Sequence, residues 1–171
     1  MRSRFSPVVI LFAFGLIAAA CSSDSDVATG SADAPANPAA AEAAPALAIF
    51  DESSIAARKG EPLVINFFAS WCPSCVAEMP DFEVAHQQFA DDVTFIGVAM
   101  QDRESDALDL VKKTGVTYEL GNDPDGSLFQ SFNALAMPTT VFVSADGEVV
   151  RSFSGVLTAE SLADIINGEL L

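Results

Sequence analysis

Two cysteines three residues apart, Cys72 and Cys75, are the residues whose type and spacing point most directly to chemistry. An apolar run over residues 63–69 predicts a buried strand before them, and a helical spacing of apolar residues begins directly after them. The pair therefore lies where a strand passes into the N-terminus of a helix. Unpaired backbone N–H groups and the positive end of the helix dipole stabilise a thiolate at such a place. A Cys-x-x-Cys pair beside a strand–helix unit indicates thiol–disulfide exchange.

The other candidate ligands argue against a metal centre. Besides the pair, the chain holds one further cysteine, Cys21, and one histidine, His86. Three cysteines are too few for a disulfide framework, and a structural zinc ion needs four ligands, for which only His86 is available besides them. We therefore predict no metal and no cofactor. His86 falls on the polar side of its predicted helix, where we expect it at the surface.

The motif Trp71-Cys72-Pro73-Ser74-Cys75, followed far downstream by Met137-Pro138-Thr139-Thr140, resembles the thioredoxin-like superfamily. It is most similar to the exported thiol-disulfide oxidoreductases of the TlpA/ResA type, and the resemblance covers residues 47–171. It implies an α/β fold with a central mixed β-sheet flanked by helices on both faces. It also implies a redox-active disulfide between Cys72 and Cys75.

The order of the predicted elements agrees with that fold. Strands are expected at 47–50, 63–69, 93–99, 139–144 and 148–153. Helices are expected at 55–57, 74–89 and 104–113, then after the turn at 123–126, and finally after the capping residue Thr158. Gly115 is expected to end the helix at 104–113, and Gly168 to end the last helix.

The order of the residues within the motif predicts their roles. Cys72 comes first, at the mouth of the turn, so its thiolate is expected to attack a disulfide in a partner protein. Cys75 lies one helical turn deeper and is expected to resolve the mixed disulfide. Pro73 suits the first turn of a helix because its missing N–H costs nothing there. Pro73 and Ser74 are expected to set the redox potential and to border the substrate, and the resemblance implies that Trp71 contacts partner chains.

The second motif is expected to complete the binding site for a partner chain. In the family, the proline that corresponds to Pro138 forms a cis peptide bond and faces the cysteines, and only bonds before proline reach cis at modest cost. Such a bond presents the backbone of Met137 to a substrate strand, which can then pair with it main chain to main chain. Thr139 follows as a further expected substrate contact.

Proton transfer from Cys75 requires a nearby acceptor. Cytosolic thioredoxins carry a buried Asp on the strand before the motif, and the matching position here is Asn66, which cannot titrate. In the TlpA/ResA branch, Asn is also usual there, and an acidic residue after the next strand is expected to act instead. Asp102 lies nearest to that place, with Glu104 as the alternative, and such a carboxylate could take the proton. A solvated loop acid is the other interpretation of either residue.

The first 46 residues differ in composition from the rest. Arg2 and Arg4 precede an uncharged apolar run over residues 8–20, which predicts a signal peptide at 1–20. Small residues before Cys21 resemble a bacterial lipoprotein cleavage site, so Cys21 is the expected lipid attachment point, with plain secretion as the alternative. Residues 21–46, rich in Ala, Ser and Pro, are expected to form a disordered tether. Residues 47–171 then make up one thioredoxin-like domain.

The charge of the chain argues against two classes of partner. It has 24 acidic and 8 basic side chains and a formal charge of −16. Nucleic-acid binding needs clustered Lys and Arg, so we predict no nucleic-acid partner. The small number of basic side chains also disfavours adsorption to an anionic membrane surface, which leaves the lipid anchor as the expected membrane contact. We expect a monomer whose partners are protein thiols and disulfides.

The leading hypothesis is a cell-envelope thiol-disulfide oxidoreductase, anchored to the membrane and facing the extracytoplasmic space. The resemblance implies reduction of protein disulfides, as in cytochrome c maturation, with a membrane electron donor that recycles the protein. Oxidative folding is the alternative direction, and the sequence leaves the choice open. A peroxiredoxin is disfavoured because Ala69 stands where that family has Thr. A copper carrier is disfavoured because it would need a CxxxC motif and a downstream His, and this chain has no histidine after His86.

Overall fold

The computed structural model describes residues 47–171, which are the predicted domain. The predicted signal peptide at 1–20, Cys21 and the tether up to residue 46 lie outside the described residues. The elements are, in chain order, β1 (Ala48–Ile49), α1 (Glu52–Ala56), β2 (Leu63–Phe68), α2 (Pro73–Phe89), β3 (Thr94–Met100), α3 (Glu104–Thr114), β4 (Glu119–Asp123), α4 (Ser127–Ser131), β5 (Thr139–Val143), β6 (Val149–Ser154) and α5 (Ala159–Ile165), which continues into a π-helical turn (Ile166–Leu170). Between residues 47 and 171, no helix is both long and apolar enough to cross a membrane.

The strands form one mixed sheet in the order β1-β4-β3-β2-β5-β6. Strands β1 to β4 run parallel to one another, whereas β5 is antiparallel to β2 and β6 is antiparallel to β5. Because the carboxyl ends of parallel strands meet at one edge of a sheet, the loops after β2, β3 and β4 are neighbours there. The loop after β2 carries Cys72, so the cysteine pair lies at this edge of the sheet.

The hydrophobic core lies on both faces of the sheet. On one face, α2, α3 and α5 pack against a cluster that includes Val64 and Phe68 of β2. On the other face, the short helices α1 and α4 pack against Leu63, Ile65 and Phe67. This alternation is the period of two expected of a strand that is buried on both sides. The architecture confirms the predicted central mixed sheet with helices on both faces.

One strand was absent from the sequence prediction. Strand β4 runs between β1 and β3, yet its sequence, Glu-Leu-Gly-Asn-Asp, has neither an apolar run nor an apolar alternation. Two of its five residues, Gly121 and Asp123, are buried. Gly121 leaves room for the ring of Phe50, which would lie 2.6 Å from an added Cβ atom. Asp123 is buried because its carboxylate accepts the backbone N–H of Phe129 in α4, at 2.9 Å.

Three smaller expectations were also wrong. Helix α1 begins earlier than predicted because Asp51 caps it, accepting the backbone N–H of Ser54 at 2.8 Å. The last helix does not end at Gly168 but continues as a π-helical turn to Leu170. His86 is half-buried rather than at the surface, since its ring packs edge-on against Phe95 and Tyr118, with centroids 5.5 and 5.8 Å away.

Candidate active site

Cys72 and Cys75 form a disulfide at the N-terminus of α2, with their Cα atoms 5.3 Å apart. Cys72 is the N-cap residue, and its sulfur lies 3.2 Å from the backbone nitrogen of Cys75, which donates to it. Pro73 occupies the first turn of the helix, where its missing N–H leaves no bond unmade. The sulfur of Cys72 is also 3.5 Å from the hydroxyl oxygen of Ser74. Helix-end N–H groups and this hydroxyl can stabilise negative charge on Cys72.

The two sulfurs differ in access to solvent. The Cys72 side chain is 5% exposed, whereas Cys75 is fully buried in the core beneath α2. Of the two residues, only Cys72 therefore keeps any surface exposed to solvent in the folded domain. The division of roles, with an outer sulfur that meets the partner and an inner one that completes the exchange, stays a prediction.

The second predicted motif lies beside the first in the sheet. In the antiparallel pairing of β2 with β5, Phe67 lies opposite Thr139. Met137 and Pro138, which precede Thr139, therefore lie next to the end of β2 where the cysteine loop begins. The Met137–Pro138 peptide bond is cis, as the resemblance implied. Met137 packs against the same core cluster as both cysteines. The Thr139 hydroxyl points inward, where it donates to the carbonyl of Ala136 at 2.7 Å, so its side chain supports the loop rather than facing solvent.

Exposed apolar side chains border this region on three loops. Trp71 precedes Cys72 and is 56% exposed; Leu135 lies two residues before Met137 and is 93% exposed; Val156 is 50% exposed. Val156 follows Gly155, whose backbone N–H donates to the carbonyl of Pro138 at 2.9 Å. Sequence reasoning singled out Trp71 but missed Leu135 and Val156, because an isolated apolar residue in a loop carries no periodic signal. We refer to Trp71, Leu135 and Val156 as the apolar rim.

A buried carboxyl group lies one helical turn beyond Cys75. Glu78 is fully buried, and it accepts hydrogen bonds from the side-chain amide of Asn66 at 2.8 Å and from the backbone N–H of Leu157 at 3.2 Å. Burial raises the pKa of Glu78 to about 7, and the nearby charge of Asp81 adds to this shift, while the two hydrogen bonds oppose it. A carboxyl group that titrates near neutrality is suited to accept or return a proton.

Sequence reasoning missed Glu78, although a signal was present. Residues 75, 78, 79 and 82 share one face of α2, and all are buried. Glu78 is therefore a charged residue placed on the apolar stripe of an amphipathic helix. Such a residue requires internal partners, because an ionised carboxylate is costly to bury alone. Only the packing shows that those partners are Asn66 and Leu157.

Asp102, the proton acceptor favoured by the sequence, lies in the loop between β3 and α3 and is half-buried. Its carboxylate accepts three hydrogen bonds: from the backbone N–H of Ser70 at 2.5 Å, the hydroxyl of Ser70 at 2.8 Å and the backbone N–H of Arg103 at 2.9 Å. Each of these partners is a loop group rather than a sulfur. The alternative acceptor, Glu104, accepts the backbone N–H of Leu47 at 2.5 Å. The role of Asp102 as acceptor for Cys75 stays a prediction.

Within residues 47–171, no group of three or more His, Cys, Asp or Glu side chains is arranged to hold a metal ion. The site combines an outer and an inner cysteine, joined as a disulfide, with a buried carboxyl group and a loop surface that can receive a partner.

Comparison with known proteins agrees with this geometry. The family model named Redoxin matches residues 31–166 of the chain. The sporulation thiol-disulfide oxidoreductase A of Bacillus subtilis is 27% identical over 110 residues, which cover 62% of this chain and 67% of that protein. The thiol-disulfide oxidoreductase ResA of Oceanobacillus iheyensis is 26% identical over 110 residues, covering 64% of this chain and 57% of that protein. The soluble secreted antigen MPT53 of Mycobacterium tuberculosis is 33% identical over 122 residues, which cover 71% of this chain and 66% of that protein.

Two solved structures show the same architecture. MTB dsbF, in its mixed oxidized and reduced forms, superposes with a TM-score of 0.61 at 29% identity, over 65% of this chain and 82% of that chain. A thiol:disulfide interchange protein of the thioredoxin family from Chlorobium tepidum TLS gives a TM-score of 0.60 at 26% identity, over 74% of this chain and 97% of that chain. These similarities confirm the predicted thioredoxin-like fold.

Proposed function

Because the chain belongs to the redoxin family, we propose that it is a thiol-disulfide oxidoreductase that exchanges disulfides with other proteins through Cys72 and Cys75. The observation that carries the proposal is the disulfide at the N-terminus of α2, in which Cys72 is 5% exposed and Cys75 is fully buried. The names of the relatives from Bacillus subtilis and Oceanobacillus iheyensis support the same activity.

The exchange proceeds in two steps that conserve electrons. In the reducing direction, the Cys72 thiolate attacks one sulfur of a client disulfide, which releases one client thiolate and leaves a mixed disulfide. The Cys75 thiolate then attacks the Cys72 sulfur, the mixed disulfide breaks, and the second client thiolate leaves. The client gains two electrons, and the pair is left as the disulfide that the structure contains. Oxidation of a client dithiol is the same sequence in reverse.

We propose that Glu78 accepts the proton that the Cys75 thiol releases. Cys75 is buried, and burial in apolar surroundings raises the pKa of a thiol, so it needs help to become a thiolate. Glu78 follows it by one helical turn on the same buried face, and its own pKa is raised to about 7. Asp102 is the competing acceptor, and the two assignments differ in which variant slows the second step.

We propose that clients dock on the apolar rim around Cys72. Trp71, Leu135 and Val156 come from three different loops, and each is at least half exposed. Exposed apolar groups close to a reactive centre favour binding of another chain. The backbone next to the cis proline is the expected place for main-chain pairing with the client.

The physiological direction that we propose is reduction, of the kind needed in cytochrome c maturation, with a membrane electron donor to recycle the pair. Oxidative folding is the alternative. The reduction potential of the Cys72–Cys75 couple, measured in a glutathione or dithiothreitol buffer, decides between them. A value near about −270 mV favours a reductant, and one near about −120 mV favours an oxidant.

We further propose that the protein is exported, through the signal peptide at 1–20, and held to the membrane by a lipid on Cys21, with residues 21–46 as the tether. The name of one relative, a soluble secreted antigen that is 33% identical, supports export. Mass spectrometry of the mature N-terminus tests the anchor. Mature peptides that start elsewhere and carry no acyl group on Cys21 would remove it.

Insulin reduction with dithiothreitol as the electron source tests the activity. The wild-type protein is expected to accelerate reduction, Cys72→Ser to abolish it, and Cys75→Ser to accumulate a mixed disulfide through Cys72. Cys21→Ser is the matched control, because it removes a cysteine outside the pair. An inactive wild-type protein whose Cys72 is no more acidic than free cysteine by alkylation contradicts the proposal.

A further inference from the structure

The loop after β3 holds the cysteine loop in place. Both oxygens of the Asp102 carboxylate are used on Ser70, one by its backbone N–H at 2.5 Å and one by its hydroxyl at 2.8 Å. Ser70 lies two residues before Cys72, at the point where β2 has ended and the chain turns towards α2. Hydrogen bonds to a charged acceptor are stronger than neutral ones, and a bidentate pair also fixes direction. The contact therefore restrains the cysteine loop at its second residue after the buried strand.

A second bond links the same two loops through Trp71. Its indole Nε1 donates to the backbone carbonyl of Gln101 at 3.3 Å, although the side chain as a whole is 56% exposed. An exposed indole that is tied at its polar end keeps one orientation and offers its apolar surface to solvent. Trp71 is therefore pre-oriented for a partner, and its orientation depends on the position of Gln101 and Asp102.

The loop after β4 fixes Gln101 in turn. The backbone N–H of Gln101 donates to the carbonyl of Asp123 at 3.0 Å, and its side-chain amide donates to the carbonyl of Asp125 at 3.2 Å. Gln101 has a φ of 47°, in the left-handed region that favours glycine, so its conformation is maintained by these contacts. The three loops at the carboxyl ends of β2, β3 and β4 thus form one hydrogen-bonded series that ends at Trp71.

We propose that Asp102 and Ser70 form a clamp that positions Trp71 and Cys72 for the client protein. The proposal rests on the proposed oxidoreductase function and gives Asp102 a positioning role, separate from any transfer of the Cys75 proton. A positioned loop lowers the entropy lost when a client binds and its sulfur is aligned with Cys72. A small thiol needs no such surface, so its reaction with the Cys72–Cys75 disulfide is independent of the clamp.

Two variants test the clamp, and two more on α3 serve as matched controls. Ser70→Ala removes the hydroxyl bond, and Asp102→Asn replaces one accepting oxygen with a donor. Ser105→Ala and Asp109→Asn make the same chemical changes at exposed positions of α3. Far-UV circular dichroism verifies that each variant is folded before it is compared.

The fluorescence of Trp71 gives a direct readout, since it is the only tryptophan of the chain. In the oxidised protein, we expect Ser70→Ala and Asp102→Asn to lower the anisotropy of Trp71 and to increase its quenching by acrylamide. We expect KM for insulin to rise about fivefold to tenfold in Asp102→Asn, and less in Ser70→Ala. In Ser70→Ala, kcat and the rate at which dithiothreitol reduces the Cys72–Cys75 disulfide should stay at the wild-type values. Both controls should match the wild type.

Three outcomes overturn the clamp. If both variants keep the wild-type anisotropy and the wild-type KM for insulin, the contact between Asp102 and Ser70 does not position Trp71. If Asp102→Asn slows the attack of Cys75 on the mixed disulfide and alters the pH profile of that step, while Ser70→Ala behaves like the wild type, Asp102 is the acceptor of the Cys75 proton instead. An equal loss for insulin and dithiothreitol shows a general structural role. If the wild-type protein reduces no insulin, the proposed function fails, but the anisotropy of Trp71 still reports on the clamp.

Discussion

The side-chain amide of Asn66 donates a hydrogen bond of 2.8 Å to the carboxyl group of Glu78, and both side chains are buried. Asn66 lies on β2 and Glu78 on α2, so the bond joins the central strand to the helix that begins with the cysteines. In cytosolic thioredoxins, the strand position supplies the buried acid itself. Here the strand supplies a neutral donor, and the acid comes from the helix.

Replacing Glu78 with Gln is expected to slow the step in which Cys75 releases the client. The variant keeps the shape and hydrogen-bonding capacity of the side chain but removes the acceptor for the Cys75 proton, so a loss of about tenfold to a hundredfold is expected in that step. Stopped-flow decay of a mixed disulfide on Cys72 measures it. Glu160→Gln, an exposed change in the first turn of α5, is the control. Wild-type decay in Glu78→Gln would exclude Glu78 as the acceptor.

The same variant is expected to change how the stability of the oxidised protein depends on pH. The pKa of Glu78 is raised from 4.5 to about 7 in the folded state, so the folded protein binds more protons than the unfolded chain between these values. Wild-type stability should therefore fall relative to Glu78→Gln as the pH rises from about 4.5 to about 7, by up to about 3 kcal/mol, and the difference should then stay level. Denaturant unfolding at several pH values measures this difference. Parallel curves for the two proteins would contradict the raised pKa.

Removing the amide of Asn66 is expected to raise the pKa of Glu78 further. The Asn66 hydrogen bond favours the ionised carboxylate, and Asn66→Ala removes it. The midpoint of the pH profile for mixed-disulfide decay should move upward, and the protein should lose about 1–3 kcal/mol of stability because a buried acceptor loses its partner. The pH profile in matched buffers is the measurement. A midpoint that stays in place or moves downward would show that Asn66 does not tune Glu78.

Replacing Leu135 with Ser is expected to weaken client binding without affecting the fold. Leu135 is 93% exposed, so its loss should change stability by less than about 0.5 kcal/mol. KM for insulin should rise about threefold, because the apolar surface that the client covers becomes smaller. Val149→Ser on β6, at a side chain that is 51% exposed, is the matched control. An equal KM in both variants would mean that the rim does not contact insulin.

The sequence by itself determined the reactive pair and most of the sheet, because these depend on local patterns, whereas the cis bond before Pro138 was expected only from the family resemblance. Strand β2 is an apolar run, and α2 shows helical spacing directly after Cys72, so the junction between them was visible without coordinates. The same reasoning missed β4, whose five residues are held in the sheet by their neighbours β1 and β3 rather than by their own apolar pattern.

Only the tertiary structure decided how the acids are used. Glu78 gains its partners from positions 12 and 79 residues away, and Asp102 meets Ser70 across 32 residues. Desolvation and hydrogen bonding depend on which groups the packing brings together, and no local pattern records that. The sequence therefore indicated which chemistry the chain performs. The fold decided which carboxyl group is buried on the reactive helix and which one accepts hydrogen bonds from the loop before it.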